Sequence, residues 1–566
     1  MNINDQEISI ANLNWGFHFA RSLESFGMKK IFFSPGSRST PLIIGIERHS
    51  NIELIPVLDE RSCAFLALGT SKREGIPTGV ICTSGSALTH WFPAITEACH
   101  SSTPLLLFSA DRPPELQDCA AGQTINQKNL FGNFVRAFHQ VEIPQNDESA
   151  KNQFIRTLFL AYKQTTGINP GPVHLNFPFR EPFLSHASGV HSYIDEISGN
   201  ESAKELTYLD STYEVSKHWE NSDRPLIIAG QNIGPDDLLP HLGDKLIPII
   251  CDSLSQIRHT GTKSSILHYE NLLRDSRFAS IAIPDVILTL GPLPTSKTLR
   301  KWIDSTGAFR IIVEPRGINV DPLTSSSKNF QIGYHQIREL RVPIPEPRWG
   351  EIWEIAENEV DATLMERFSK ITTLFEGKLA HLLSLHLPEN AQLFTTNSMP
   401  IRDLEWFWAK MPSYRRLFGN RGVNGIDGSL GTALGIAQDS GKPNYMLCGD
   451  LAFLHDSNAL LHNSHFKGNL TIFVVNNFGG GIFQHLPIAK EAEFEKCFAT
   501  PQKFNLGKLC ESFHISHELL DDWDSITERI KKPIQSGIRV IEIQTNRKKD
   551  KVFREDLLGI GPTTYA

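Results

Sequence analysis

The eight cysteines of this 566-residue chain, at 63, 82, 99, 119, 251, 448, 497 and 510, form no Cys-x-x-Cys pair. That argues against zinc ribbons, dithiol centres and a disulfide framework. Several lie inside apolar runs, so they are expected to be reduced, buried thiols of a cytoplasmic protein. No apolar run reaches the roughly 18–20 residues of a membrane-spanning helix. The opening Met1-Asn2-Ile3-Asn4-Asp5-Gln6-Glu7 lacks a basic and then apolar segment, and no signal peptide is expected. There is no Lys/Arg-rich tract, and with a net charge of −8 nucleic acid is a poor partner. No Gly-x-x-x-x-Gly-Lys-Ser/Thr loop, short repeat or low-complexity tract is present. The 21 histidines show no metal-ligand spacing, and His462 and His465 are expected on a helix surface. What remains is a composition 40% hydrophobic and 21% charged, sufficient for large cores. The length suggests about three domains.

Short apolar runs alternate with amphipathic stretches from end to end, which predicts an α/β protein of mostly parallel sheets flanked by helices. A first block, 1–184, carries strands near 30–34, 53–58, 78–82, 104–110 and 172–177, with helices such as 12–26 and 61–74. A polar, aperiodic stretch at 185–204 reads as a linker. A central block, 205–345, carries strands near 225–230, 246–251, 286–290 and 309–313. It closes at Pro343-Ile344-Pro345-Glu346-Pro347, which cannot continue a helix or a central strand. A helical stretch leads to a third block, 365–566, with strands near 392–395, 416–418, 445–448, 471–475 and 539–544. The first and third blocks are candidates for one fold without shared sequence.

Two strand ends in the third block carry the most chemistry. Gly449-Asp450-Leu451 ends the run from Asn444, and Asn476-Asn477 ends the run from Leu470. Apolar positions between them predict a crossover helix over 452–465. Asp450 and Asn477 then lie at the carboxyl ends of two strands of one βαβ unit, where α/β sheets bind ligands. A carboxylate, an amide oxygen and a main-chain carbonyl suit Mg²⁺ holding a diphosphate, and the helix N-terminus favours the same anion. The plainer reading is an Asp helix cap and an Asn-Asn turn, both common. Gly479-Gly480-Gly481 is permissive enough for a backbone to approach a phosphate closely, or to form a plain turn.

The pair resembles the signature of thiamine diphosphate (ThDP) enzymes, Gly-Asp-Gly followed by Asn-Asn, with Leu451 at the third position. Further stretches resemble the 2-succinyl-5-enolpyruvyl-6-hydroxy-3-cyclohexene-1-carboxylate (SEPHCHC) synthase family of menaquinone biosynthesis. They are Ser34-Pro35-Gly36-Ser37-Arg38-Ser39-Thr40-Pro41, Leu58-Asp59-Glu60-Arg61, Ser109-Ala110-Asp111-Arg112-Pro113-Pro114-Glu115-Leu116, Gly171-Pro172-Val173-His174-Leu175-Asn176 and Gly419-Asn420-Arg421-Gly422-Val423-Asn424-Gly425-Ile426-Asp427-Gly428. The resemblance covers the first and third blocks well and the middle one weakly. It implies a pyrimidine-binding domain in 1–184, a central domain in 205–345 and a diphosphate-binding domain in 365–566.

The resemblance also implies roles. Glu60 matches the glutamate that bonds the pyrimidine N1′ and drives proton exchange at the cofactor, work that suits a carboxyl. Gln123 matches a glutamine near the reactive centre, preceded here by Gly122 where Asn is common. Asp450 and Asn477 by side chain, and Gly479 by carbonyl, match the ligands of Mg²⁺ or Mn²⁺. Ile426 matches the residue that props the cofactor into its bent form, while Gly449, Ile482 and Phe483 line it. The implied substrates, isochorismate and 2-oxoglutarate, are dicarboxylates, for which arginine forks are suited. Arg38, Arg112, Arg402 and Arg421 are the candidates, with Ser37, Ser398 and Lys297, the last followed by Thr298 where Arg is usual. The implied reaction decarboxylates 2-oxoglutarate and adds the resulting four-carbon unit to isochorismate. The absence of a His-His pair favours such ligation over simple aldehyde release. Sites between subunits of a homodimer or homotetramer are implied as well. Two alternatives stay open on the residues: another ThDP-dependent 2-oxoacid decarboxylase or carboligase, such as an acetolactate-synthase-like enzyme, and a non-catalytic ThDP-fold scaffold.

Overall fold

The computed structural model describes residues 3–184, 209–413 and 415–564; the expected linker at 185–204 lies outside them. Three six-stranded sheets account for the strands. The first contains β1 (Lys30–Phe33), β2 (Glu53–Pro56), β3 (Thr78–Cys82), β4 (Leu105–Asp111), β5 (Ala137–Gln140) and β6 (Pro172–Pro178). The middle contains β7 (Pro225–Ala229), β8 (Ile249–Cys251), β9 (Ser265–Ile266), β10 (Val286–Leu290), β11 (Phe309–Val313) and β12 (Ser327–Phe330). The third contains β13 (Gln392–Thr395), β14 (Arg416–Gly419), β15 (Asn444–Gly449), β16 (Asn469–Asn476), β17 (Ser516–Leu519) and β18 (Gly537–Gln544). Among the described residues every ladder is parallel. Central strands such as β3, β4 and β6 are buried along their whole length, which is why they read as continuous apolar runs.

The first sheet runs β2-β1-β3-β4-β6-β5 and the third β14-β13-β15-β16-β18-β17, the same order in two unrelated sequences. The middle sheet runs β9-β8-β7-β10-β11-β12, the order of the doubly wound dinucleotide-binding fold. Strand order reverses between β1 and β3 in the first sheet and between β13 and β15 in the third. Ligands of open α/β sheets bind at the carboxyl ends of such strands.

The chain forms two compact units. One holds the first sheet together with Asn420–Ser440 and Ala452–Gly468; the other holds the middle and third sheets. The first sheet closes over a core of Phe19, Phe108, Phe154 and Phe177, with Trp15 stacked on Phe154 at 4.3 Å. In the same unit the helix Glu60–Glu74 packs on the helix Ser429–Ala437 with backbones in near contact. A Cβ at Gly435 would strike the Leu66 carbonyl, and one at Gly69 the Thr432 carbonyl. Thr70 Oγ1 donates to the Gly435 carbonyl at 2.9 Å across this seam.

The connection from β15 to β16 departs from the single helix expected over 452–465. A short α-helix, Asp450–His455, gives way to a 3₁₀ helix, Ser457–His465. The break falls at Asp456, whose buried carboxylate accepts the Gly431 N–H at 2.9 Å and so leaves the helical path. The changed periodicity turns His462 inward, 2% exposed, and Leu461 outward, which corrects the expected surface position of His462. Burial pushes the His462 imidazole down to about 4, so it is neutral. Cys119 and Cys497 are exposed, against the expectation of buried thiols.

Candidate active site

At the third sheet's switch point, β15 ends at Gly449 and Asp450 opens the following helix. Asp450 is 3% exposed, and burial pushes its carboxyl up to about 6. Its Oδ1 accepts the Leu451 N–H and its Oδ2 the Gly479 N–H, both at 2.8 Å. The bond to Leu451 uses only its main chain, so the departure at this position leaves that bond in place. Gly479 has φ 134°, and a Cβ there would strike the Ala499 carbonyl, so glycine is required. Its own carbonyl accepts the Gly481 N–H at 2.9 Å and keeps a second lone pair. The space around Gly449 is open.

Asn477 is the most telling residue of this group. Its Nδ2 donates to Glu376 Oε1 at 2.6 Å, while its Oδ1 is buried with no hydrogen-bond partner. A buried, unspent amide oxygen costs about 1–3 kcal/mol unless it is given a partner. A carboxylate, that oxygen and a glycine carbonyl form an oxygen set for a hard divalent cation, so these residues fit one. Behind them Arg554 bridges Glu376 and Asp403, with two 2.7 Å bonds to the latter. These carboxylates hold the Arg554 guanidinium firmly charged. Burial and the Glu376 charge push the neighbouring Asp550 up to about 9.

Around this centre, Ile482 and Phe483 lie half-buried on the 3₁₀ helix Gly481–His485, with Phe483 edge-on to Phe498 at 6.1 Å. Ser398 follows β13 with φ 74°, an uncommon conformation for a residue with a side chain, of the kind that clusters at functional sites. Its carbonyl accepts from Arg402 at 2.6 Å. Lys297 stands exposed at the first position of the helix Lys297–Thr306 beyond β10 of the middle sheet. Beside it Thr298 donates to Glu270 at 2.6 Å.

In the other unit, Asp59 caps the helix Glu60–Glu74 by accepting the Ser62 N–H at 3.0 Å. Glu60 is thus the first helical residue, half-buried, and its carboxylate has no hydrogen-bond or ion-pair partner among the described residues. Phe65, one turn on, lies against Gly428, and Ile426 is half-buried in the loop just before it. Arg38 follows β1, Ser84 follows β3 and Arg112 follows β4. Arg112 donates to Ser84 Oγ and to the Gly122 carbonyl, and Gln123 Nε2 donates to the Ser84 carbonyl at 3.1 Å. Gly122, at the position where Asn is common in the family, contributes its main-chain carbonyl to Arg112. Arg38 is 4% exposed and donates to the Phe179 carbonyl at 2.7 Å and to Glu181 at 2.8 Å. Burial and the Arg112 charge pull its guanidinium below the usual arginine range. Ser37 is exposed beside it, and Arg421 lies in the loop leading to Ile426.

Two residues that sequence reasoning missed brace these groups. Glu97, 2% exposed, accepts from Lys72 at 2.9 Å and from the N–H groups of Gly422 and Val423 at 3.0 and 2.9 Å. It pins the loop between Arg421 and Ile426. Glu376 holds Asn477. A charged residue on a buried helix face was the available signal: Asp550, Arg554, Leu557 and Leu558 share one buried stripe of the helix Arg547–Leu558.

The Glu60 carboxylate and, separately, the oxygen set of Asp450, Asn477 and Gly479 are groups of the kind a ThDP enzyme uses, and the comparisons agree. Residues 13–131 match the thiamine pyrophosphate enzyme N-terminal TPP binding domain, and residues 405–543 match the C-terminal TPP binding domain. The SEPHCHC synthase of Gloeothece citriformis is 39% identical, over 96% of this chain and 97% of its own length. That of a Nostoc species is 38% identical, over 97% of this chain and 98% of its own. The chain belongs to the SEPHCHC synthase family.

Proposed function

We propose that this protein converts 2-oxoglutarate and isochorismate to SEPHCHC and CO₂, a step of menaquinone biosynthesis, using ThDP and Mg²⁺ or Mn²⁺. The observation that carries the metal half is the buried, unpartnered Asn477 Oδ1 beside an Asp450–Gly479 linkage. Asp450, Asn477 and the Gly479 carbonyl would hold the cation, and through it the diphosphate. Bound ThDP supplies an electron sink for breaking and forming bonds at a carbonyl carbon.

The chain's own residues do the rest. Glu60, with a carboxylate unspent on the protein, exchanges a proton with the pyrimidine N1′. Gln123 stands near the reacting centre, positioned by Ser84. Ile426, Gly449, Ile482 and Phe483 line the cofactor and exclude water. Arg38, Arg112, Arg402 and Arg421 hold substrate carboxylates by paired hydrogen bonds, with Ser37 and Ser398 as hydroxyl donors and Lys297 as a single cation. That Arg38 donates to the Glu181 carboxylate supports reading it as a carboxylate-binding group. We place the enzyme in the cytoplasm, as a homodimer or homotetramer with sites between subunits. Leu58, 68% exposed two residues before Glu60, is an apolar side chain that a second subunit would cover.

The test is turnover. Protein with ThDP, Mg²⁺, 2-oxoglutarate and isochorismate is followed by product mass. Loss of isochorismate with gain of the four-carbon unit is expected. Consumption of 2-oxoglutarate with isochorismate untouched, or equal use of pyruvate, would overturn the substrate assignment and leave another ThDP carboligase.

A further inference from the structure

We propose that Glu376 is a positioning residue that orients Asn477 for the metal, with Arg554 and Asp403 as its supports; this rests on reading Asn477 as a metal ligand. An asparagine amide has two ends of nearly equal shape, one a donor pair and one an acceptor. Only the oxygen end can ligate a cation. The local backbone does not choose between them, because the terminal torsion of asparagine is broad and roughly two-fold.

Glu376 makes the choice. Its Oε1 lies 2.6 Å from Asn477 Nδ2, and a carboxylate only accepts, so the amino end must face it. The oxygen end then faces away, into the position where it has no protein partner. The flipped amide would set its oxygen against the carboxylate and its amino group toward the cation, two repulsions at once. Glu376 is kept an acceptor by Arg554, which donates to its Oε2. Arg554 is held in turn by the bidentate Asp403, at 2.7 Å to each oxygen. Glu376, Arg554 and Asp403 are 5%, 1% and 1% exposed, so no water competes for these bonds. Partners behind a metal ligand typically carry a 10–100-fold share of affinity.

The test reads Mg²⁺ affinity directly, as the Mg²⁺ concentration giving half-maximal ThDP binding by calorimetry, with no turnover involved. Glu376→Gln is expected to raise that concentration about 10–100-fold, because glutamine can donate to the amide oxygen and favours the wrong orientation. ThDP affinity at saturating Mg²⁺ should change little. Asn477→Asp alone sets two carboxylates face to face and should also weaken binding. The double variant Glu376→Gln/Asn477→Asp reverses the hydrogen bond, with glutamine donating to one aspartate oxygen and leaving the other for the metal. It is expected to recover Mg²⁺ affinity to within several-fold of the unmodified protein, with circular dichroism and thermal melting confirming the fold of each variant. Should Glu376→Gln alone fail to fold, the double variant decides. Unchanged Mg²⁺ dependence in Glu376→Gln, or a folded double variant no better than the single ones, would overturn the proposal. Unimpaired Mg²⁺-dependent ThDP binding by Asn477→Ala would instead overturn the metal reading itself.

Discussion

The first and third sheets share one strand order and one switch point, and they do opposite chemistry there. The loops after β1, β3 and β4 of the first sheet carry the donors Arg38, Ser84, Arg112 and Gln123, each already bonded to a protein acceptor, while Glu60 after β2 keeps its carboxylate unspent among the described residues. The third sheet presents the acceptors Asp450 and Asn477, the latter with a buried Oδ1 that has no hydrogen-bond partner among the described residues. Topology therefore decides where a ligand can sit, and the strand-end residues decide its charge. In the first sheet protein groups stand in for anions. In the third, the Asn477 Oδ1 is buried with no hydrogen-bond partner among the described residues.

The sharpest way to separate the two ends is Glu60→Gln. Since the Glu60 carboxylate has no described partner, the melting temperature should stay put while kcat falls about 10²–10⁴-fold, the usual worth of a general acid–base group. A large loss of stability would show that the residue is structural.

Next is Glu97→Gln. The glutamine keeps one acceptor for three donors, so one of Lys72, Gly422 N–H and Val423 N–H loses its bond, at about 1–3 kcal/mol. Thermal melting should show that loss, and KM for isochorismate should rise as the Arg421 loop loosens. An unchanged KM would separate the loop from substrate binding.

A pH profile probes the first unit further. Burial raises the Asp456 carboxyl from 3.8 to about 7. The folded state then holds the proton more tightly than the unfolded one. Its contribution is complete at low pH and is lost as pH climbs from 3.8 to about 7, with no further change above. Asp456→Asn stays neutral throughout, so its melting temperature should fall less across that interval than that of the unmodified protein. Parallel profiles would refute the assignment.

The smallest effect tests the stand-in anion. Glu181→Gln frees Arg38 from its 2.8 Å partner. If a substrate carboxylate uses the same guanidinium, its KM should fall a few-fold; a rise would mean that Glu181 helps to hold Arg38 in place.

Much of this was legible in the sequence. Buried central strands such as β3, β10, β11 and β13 read within their true limits, because both faces are apolar. The strands not foreseen, β5, β9, β12 and β17, all lie at sheet edges. Their sequences, Ala-Phe-His-Gln, Ser-Ile, Ser-Lys-Asn-Phe and Ser-His-Glu-Leu, are short or polar, since an edge pairs on one side only. Asp450 and Asn477 stood out because strand ends are visible in a chain, and Glu60 through the family resemblance. Glu97 and Glu376 did not, because their meaning lies in partners far along the chain: Glu97 meets Gly422, 325 residues on, and Glu376 meets Arg554, 178 residues on. The broken helix at Asp456 was hidden because its cause, the Gly431 N–H, lies outside the segment whose periodicity predicts the helix.

The comparison between the two ends is tested most directly by titrating ThDP, with and without Mg²⁺, into Glu60→Gln and Asp450→Asn side by side. The account predicts that Glu60→Gln binds ThDP in a Mg²⁺-dependent manner with an affinity within about tenfold of the unmodified protein. Asp450→Asn should lose the Mg²⁺ dependence. Mg²⁺-dependent binding retained by Asp450→Asn, or abolished in a folded Glu60→Gln, would contradict it.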